Sequence, residues 1–88
     1  MEVWIFHGIN AQFASGVFSS KQKAEKWILD NKLSGILTWY PVDTGVYDWA
    51  LLNGFFEIKK IEQESPSFIQ KFTSGSQMHF HYENGESD

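Results

Sequence analysis

The sequence has no cysteine and no arginine, and only two prolines in 88 residues. Without cysteine there is no disulfide framework, no thiolate zinc site and no cysteine nucleophile. Without arginine the chain lacks the side chain best suited to bidentate phosphate contacts. Nucleic-acid binding draws its affinity from many neutralised phosphates, and the seven cations here are all lysines, outnumbered by 11 acids. Nucleic acid is therefore not expected as a partner. No apolar run approaches the ~20 residues needed to cross a bilayer, so no membrane association is expected. Met1-Glu2-Val3-Trp4-Ile5-Phe6-His7 starts a strand-like pattern where a secretory signal would carry a basic stretch and then a long apolar one. A cytoplasmic location is the expectation. Gly8, Gly16, Gly35, Gly45 and Gly54 are scattered and form neither G-x-G-x-x-G nor a P-loop, so no nucleotide cofactor is expected.

What is present is a compact, aromatic, mildly acidic chain. Hydrophobic residues make up 42% and charged residues only 20%, a balance that excludes wholesale disorder. The length allows one domain, expected to run over residues 1–85 with 86–88 as a frayed tail. Charge is uneven. Residues 1–40 carry four lysines against Glu2, Glu25 and Asp30, whereas residues 41–88 carry three lysines against eight acids. An acidic half attracts a basic protein partner.

Read along the chain, Val3–His7 is a bulky strand expected to be buried on both faces. After the turn at Gly8-Ile9-Asn10, Phe13–Phe18 is a second strand, close enough to pair with the first as a hairpin. Ser19 and Gln22 fit a capping box, and Ala24, Trp27 and Ile28 give one apolar stripe to a helix over about residues 20–31. Leu33–Tyr40 is a strand stopped by Pro41. Asp43-Thr44-Gly45 signals a helix start, and Asn53-Gly54 a stop, for a short helix near residues 46–53. Phe55–Ile58 is a short strand or an extended docking segment. Ser65-Pro66 opens a third helix whose apolar side is Phe68, Ile69 and Phe72. Gln77–Tyr82 alternates, with Met78, Phe80 and Tyr82 on one face and Gln77, His79 and His81 on the other. Asn84-Gly85 ends it. The expected class is α+β: one small domain, a mostly antiparallel sheet of three to five strands, and two or three short helices on one face.

Candidate chemistry is thin. His79 and His81 share a strand face and, with His7 or Glu83, could supply three metal ligands; strand spacing alone supplies two, and a half-exposed polar face accounts for them as well. Asp43 and Asp48 could act as an acid–base pair, but carboxylates at a helix start also serve its dipole. No catalytic residue, cofactor or metal ligand is assigned. The aromatics say more. Trp4, Trp27 and Trp49 sit on patterned apolar faces. Trp39 and Tyr40 are strand neighbours, so one of them must leave the core side. Tyr47 falls beside the apolar stripe of its helix, between Asp43 and Asp48, the composition of an interface facing a basic partner.

Val3–Gly8, Phe13–Phe18, the stretch Leu37–Ala50 and His79–Gly85 together resemble a family of small bacterial proteins, over nearly the whole chain. The most specific part is Tyr40-Pro41-Val42-Asp43-Thr44-Gly45-Val46-Tyr47-Asp48-Trp49-Ala50. These proteins are similar to the immunity proteins of contact-dependent growth inhibition systems. The resemblance implies a non-enzymatic cytoplasmic antitoxin that binds a cognate toxin domain, commonly a nuclease, and neutralises it by occupying its active or substrate-binding surface. The expected contact residues are Trp39, Asp43, Tyr47, Asp48, Tyr82 and Glu83, set against a basic toxin surface. Two other classes stay open: a small metal-dependent or hydrolytic enzyme using His79 and His81, and a self-associating accessory domain.

Overall fold

A computed structural model of the chain describes residues 2–87. It contains two compact units, residues 2–42 together with 77–87, and Asp43–Ser76. The class is α+β.

The first unit is a wholly antiparallel sheet with one helix. β1 (Glu2–Gly8) pairs with β2 (Gly16–Phe18) on one side and with β3 (Gly35–Pro41) on the other; β3 pairs in turn with β4 (His79–Glu83), and β4 with β5 (Glu86–Ser87). The order across the sheet is β2-β1-β3-β4-β5. α1 (Lys21–Asp30) lies between β2 and β3 in sequence and covers one face. Ala24 and Ile28, fully buried, meet Trp4, Phe6, Leu37 and Tyr82 from the strands. Trp27 stands edge-on to Phe6 at 5.8 Å and packs against Phe18 at 5.3 Å. This cluster is the core of the unit, and period-2 alternation along each strand puts it on one side only.

That one-sidedness corrects the reading of β1. Trp4 and Phe6 are buried, but Val3 and Ile5 are half-buried and His7 is exposed. Bulky residues in sequence do not by themselves require burial on both faces. β2 is also shorter than expected, and Phe13 is 75% exposed in the loop before it. The α1 cap sits one residue later than the capping box predicts. Ser20, in extended backbone, accepts from the Lys23 amide, and the third helical residue is then Lys23, so Gln22 cannot reach back.

The chain end departs most. Residues 86–87, expected to fray, form β5, reached through a two-residue turn in which Asn84 and Gly85 have φ of 52° and 92°. The turn is anchored: the Gly85 amide donates to the Leu33 carbonyl at 2.8 Å. A Cβ at Gly85 would stand 3.1 Å from the backbone Cα atoms of Leu29 and Lys32. Gln77 and Met78 also reverse their expected sides. They precede β4, and Gln77 is buried, its amide donating to the Trp39 carbonyl at 2.9 Å, whereas Met78 is exposed.

The second unit holds α2 (Val46–Leu52), a 3-10 turn at Ile61–Glu64 and α3 (Pro66–Gln70). Ser65 caps α3 as expected, its hydroxyl accepting from the Phe68 amide, with Pro66 in the first turn. α2 begins at Gly45 with no side-chain cap, so neither Asp43 nor Thr44 performs that role. Phe55–Ile58 is not a strand. Phe56 joins Tyr47, Phe68 and Phe72, with ring centroids 4.9–6.2 Å apart. The amides that follow, of Lys59 and Lys60, donate to the Gln63 side-chain oxygen instead of a ladder.

Candidate functional site

Strand register places the side chains on the face of the sheet opposite α1. Ile5 stands opposite Val17 and Thr38, and Thr38 opposite His79. His7 stands opposite Ile36, and Ile36 opposite His81; Val3 stands opposite Tyr40. This face therefore carries Val3, Ile5, Val17, Ile36, Thr38 and Tyr40 together with all three histidines of the chain and Glu83. Val17 is 65% and Ile36 39% exposed. Aliphatic side chains on an accessible sheet face are unusual, because the solvated side of an antiparallel sheet ordinarily reads polar.

At one end this face opens into a hollow of about 500 Å³, lined among others by His7, Ile9, Ile36, His81 and Glu83. Ile9, in the loop after β1, is 70% exposed. His7 Nε2 lies 2.8 Å from the Ala11 carbonyl, and His79 Nδ1 2.8 Å from the Gln77 carbonyl. A carbonyl only accepts, so each of these nitrogens donates a proton. In the neutral ring the other nitrogen then carries the lone pair. Among the described residues no three of His, Asp and Glu form a group able to hold a metal ion.

Of the residues expected at a partner surface, Trp39, Tyr82 and Glu83 lie in the first unit and Asp43, Tyr47 and Asp48 in the second. Glu83 is exposed at the end of β4 on the open face, and Asp43 and Asp48 are exposed in the second unit, where Asp43 takes a φ of 64°. Trp39 is half-buried on the α1 side of the sheet, leaving Tyr40 on the open side. Tyr47 is not the exposed aromatic its helix position suggests. It is buried against Phe56, Phe68 and Phe72, and its hydroxyl donates to the Gln63 carbonyl at 2.8 Å. Tyr82 is buried beneath α1, its hydroxyl donating to Glu25 Oε2 at 2.7 Å. The helical stripe missed Tyr47 because its ring partners arrive from residues 56–72, outside any window on α2. The open face itself was legible only in part: alternation placed His79 and His81 together, but the presence of Val17, Ile36 and His7 beside them depends on register.

Tyr82 is a structural group with a measurable signature. Burial, then the hydrogen bond to Glu25 and its charge, raise the phenol well above its ordinary value. The unfolded chain ionises near pH 10, while the folded form keeps the neutral phenol. Tyr82 therefore contributes stability that is whole below about pH 10 and is lost as the pH rises beyond it. Tyr82→Phe is expected to flatten this alkaline limb and to cost about 1 kcal/mol at neutral pH. Urea unfolding at a series of pH values checks both; an unchanged alkaline limb contradicts the assignment.

The family model described as a domain of unknown function (DUF7710) matches residues 3–88. The match takes in nearly the whole chain, which belongs to that family. No curated protein and no solved structure matches the chain.

Proposed function

We propose that the protein is a stoichiometric binding protein of the immunity type, which neutralises a cognate toxin domain by covering its active or substrate-binding surface, and that it meets that partner with the open face of the sheet. The observation that carries the binding surface is the exposure of Val17 and Ile36 on a face shared with Ile5, Val3 and three imidazoles. Exposed apolar groups gathered on one rigid face mark interaction surfaces more often than isolated ones do. The toxin class is what the sequence resemblance implies, and a net charge of −4 favours a basic partner. A standard interface needs about 800 Å² from each side, which an 88-residue protein can supply.

The reading predicts a toxin domain encoded beside the gene, and it is tested with that domain in purified form. Equimolar protein is expected to abolish toxin activity, and a purified toxin that works at full rate in its presence ends the reading. The surface is tested separately. Replacing Val17 and Ile36 together by Asp is expected to weaken binding by about a hundredfold or more, the effect of breaking an interface centre. Thermal unfolding of the same variant separates lost binding from lost folding, because Ile36 is 39% exposed and lies in the central strand. Calorimetric titration with undiminished affinity would move the contact surface elsewhere. The same exposed aliphatics suit a second copy of the chain, and a sedimentation coefficient that rises with concentration would favour that partner.

A further inference from the structure

His79 and His81 leave β4 on the same side, two residues apart, with ring centroids 5.7 Å apart and planes at 78°. We infer that this pair chelates a divalent transition-metal ion of the kind imidazole prefers, Cu2+ ahead of Zn2+.

Reach is the first requirement. A metal–nitrogen bond of about 2.0–2.1 Å, added to the radius of an imidazole ring, puts each centroid about 3.2 Å from a shared ion. Two such rings then stand about 5 Å apart at a tetrahedral angle and about 6.4 Å apart at the limit. The observed separation falls inside that range, so both rings are close enough to share an ion without a shift of the strand.

Chemistry is the second. The Nδ1 proton of His79 is held by the Gln77 carbonyl, so its Nε2 carries the lone pair in the neutral ring. A ligating imidazole ordinarily gives its other N–H to a backbone carbonyl or carboxylate, which fixes the ring and raises its basicity. His79 already has that support. Both rings are exposed, so an ion can keep water in its remaining positions and need not be fully desolvated.

The ligand count sets the strength and the order of preference. With two protein nitrogens the site is a chelate and not a closed structural centre, and affinity for first-row ions follows the usual sequence in which Cu2+ exceeds Zn2+. His7 is on the same face but two strands away, across Ile36. Neighbouring strands are about 4.8 Å apart, which puts it beyond the chelate and makes it the natural control.

The experiment titrates the purified chain with Cu2+ alone, and then with Zn2+ alone, by calorimetry in a non-coordinating buffer, with electron paramagnetic resonance on the Cu2+ form. One Cu2+ per chain is expected, in the micromolar range and tighter than Zn2+, with nitrogen hyperfine structure from two imidazoles. His79→Ala and His81→Ala should each weaken Cu2+ binding at least about tenfold, by removing half of the chelate. His7→Ala should leave it within about threefold. Circular dichroism of each variant establishes that the fold is kept. Wild-type affinity in the doubly substituted His79→Ala/His81→Ala protein, or a loss in His7→Ala equal to that in His79→Ala, overturns the inference.

Discussion

Gly35→Ala is expected to lower stability by about 3 kcal/mol, a fall in Tm of about 12–24 °C for a chain of this size. A Cβ built on Gly35 overlaps the backbone carbonyl oxygen of His7 and lies 2.8 Å from both the Gly8 Cα and the Phe6 ring. Two of those three atoms belong to the backbone of β1, which is held between β2 and β3 by its ladders. They can yield only if the β1–β3 pairing opens at that end. Gly8 supplies the control. It stands directly opposite Gly35 in register, yet a Cβ there meets nothing closer than 3.8 Å. Gly8→Ala should therefore change stability by about 1 kcal/mol or less. Thermal unfolding of the two variants side by side separates a close-approach requirement from a general intolerance of side chains at this sheet end. Equal losses in both would contradict the packing described.

Phe6→Ala is the second large effect, about 3–5 kcal/mol. The ring is 2% exposed, stands edge-on to Trp27 at 5.8 Å, and occupies the space over Gly35 that a side chain there would need. Truncation leaves a cavity between the sheet and α1 that neither can fill without moving. Small domains carry about 5–15 kcal/mol in all, so this one substitution takes a large share and should show as a partly unfolded population in urea at low concentration. The two positions are coupled. In a Phe6→Leu background the contact of the new Cβ with the ring disappears while that with the His7 carbonyl stays, so Gly35→Ala should cost less there, by about 0.5–1 kcal/mol. Strict additivity would place the whole Gly35 penalty on the backbone.

Local patterning carried much of the fold because much of it is local. Ser65-Pro66 caps and opens α3, Asn53-Gly54 closes α2, and the stripe Ala24, Trp27, Ile28 faces the sheet. Each of these depends on residues within a few positions of one another. The opposed directions of Trp39 and Tyr40 follow from strand alternation alone. Where the sequence misled, the deciding partner is distant. Tyr82 is buried because its ring packs with Trp4, Phe6, Ala24, Ile28 and Leu37, and its hydroxyl finds a partner in Glu25, 57 positions away. Tyr47 is buried because Phe56, Phe68 and Phe72 close on it. Phe55–Ile58 has strand composition, but the ring of Phe56 packs into that aromatic cluster and the segment joins no ladder. β5 was invisible as two polar residues; it forms because Gly85 lets the chain turn tightly against Leu33. The candidate site divides the same way. The His79–His81 spacing could be read directly, while the company they keep, Ile36 and His7, is a matter of which strands lie side by side.

The sheet's margins are cut short: β2 runs for three residues and β5 for two. Each covers only part of the strand behind it: β2 pairs with Trp4, Ile5 and Phe6 of β1, and β5 with Tyr82 and Glu83 of β4, so both margins are stepped. A stepped margin is a poorer template for fibril growth than one long flat edge, and a guest that binds by strand addition has to follow the step. A molecule that meets the broad side of the sheet meets side chains and not main-chain hydrogen-bonding groups.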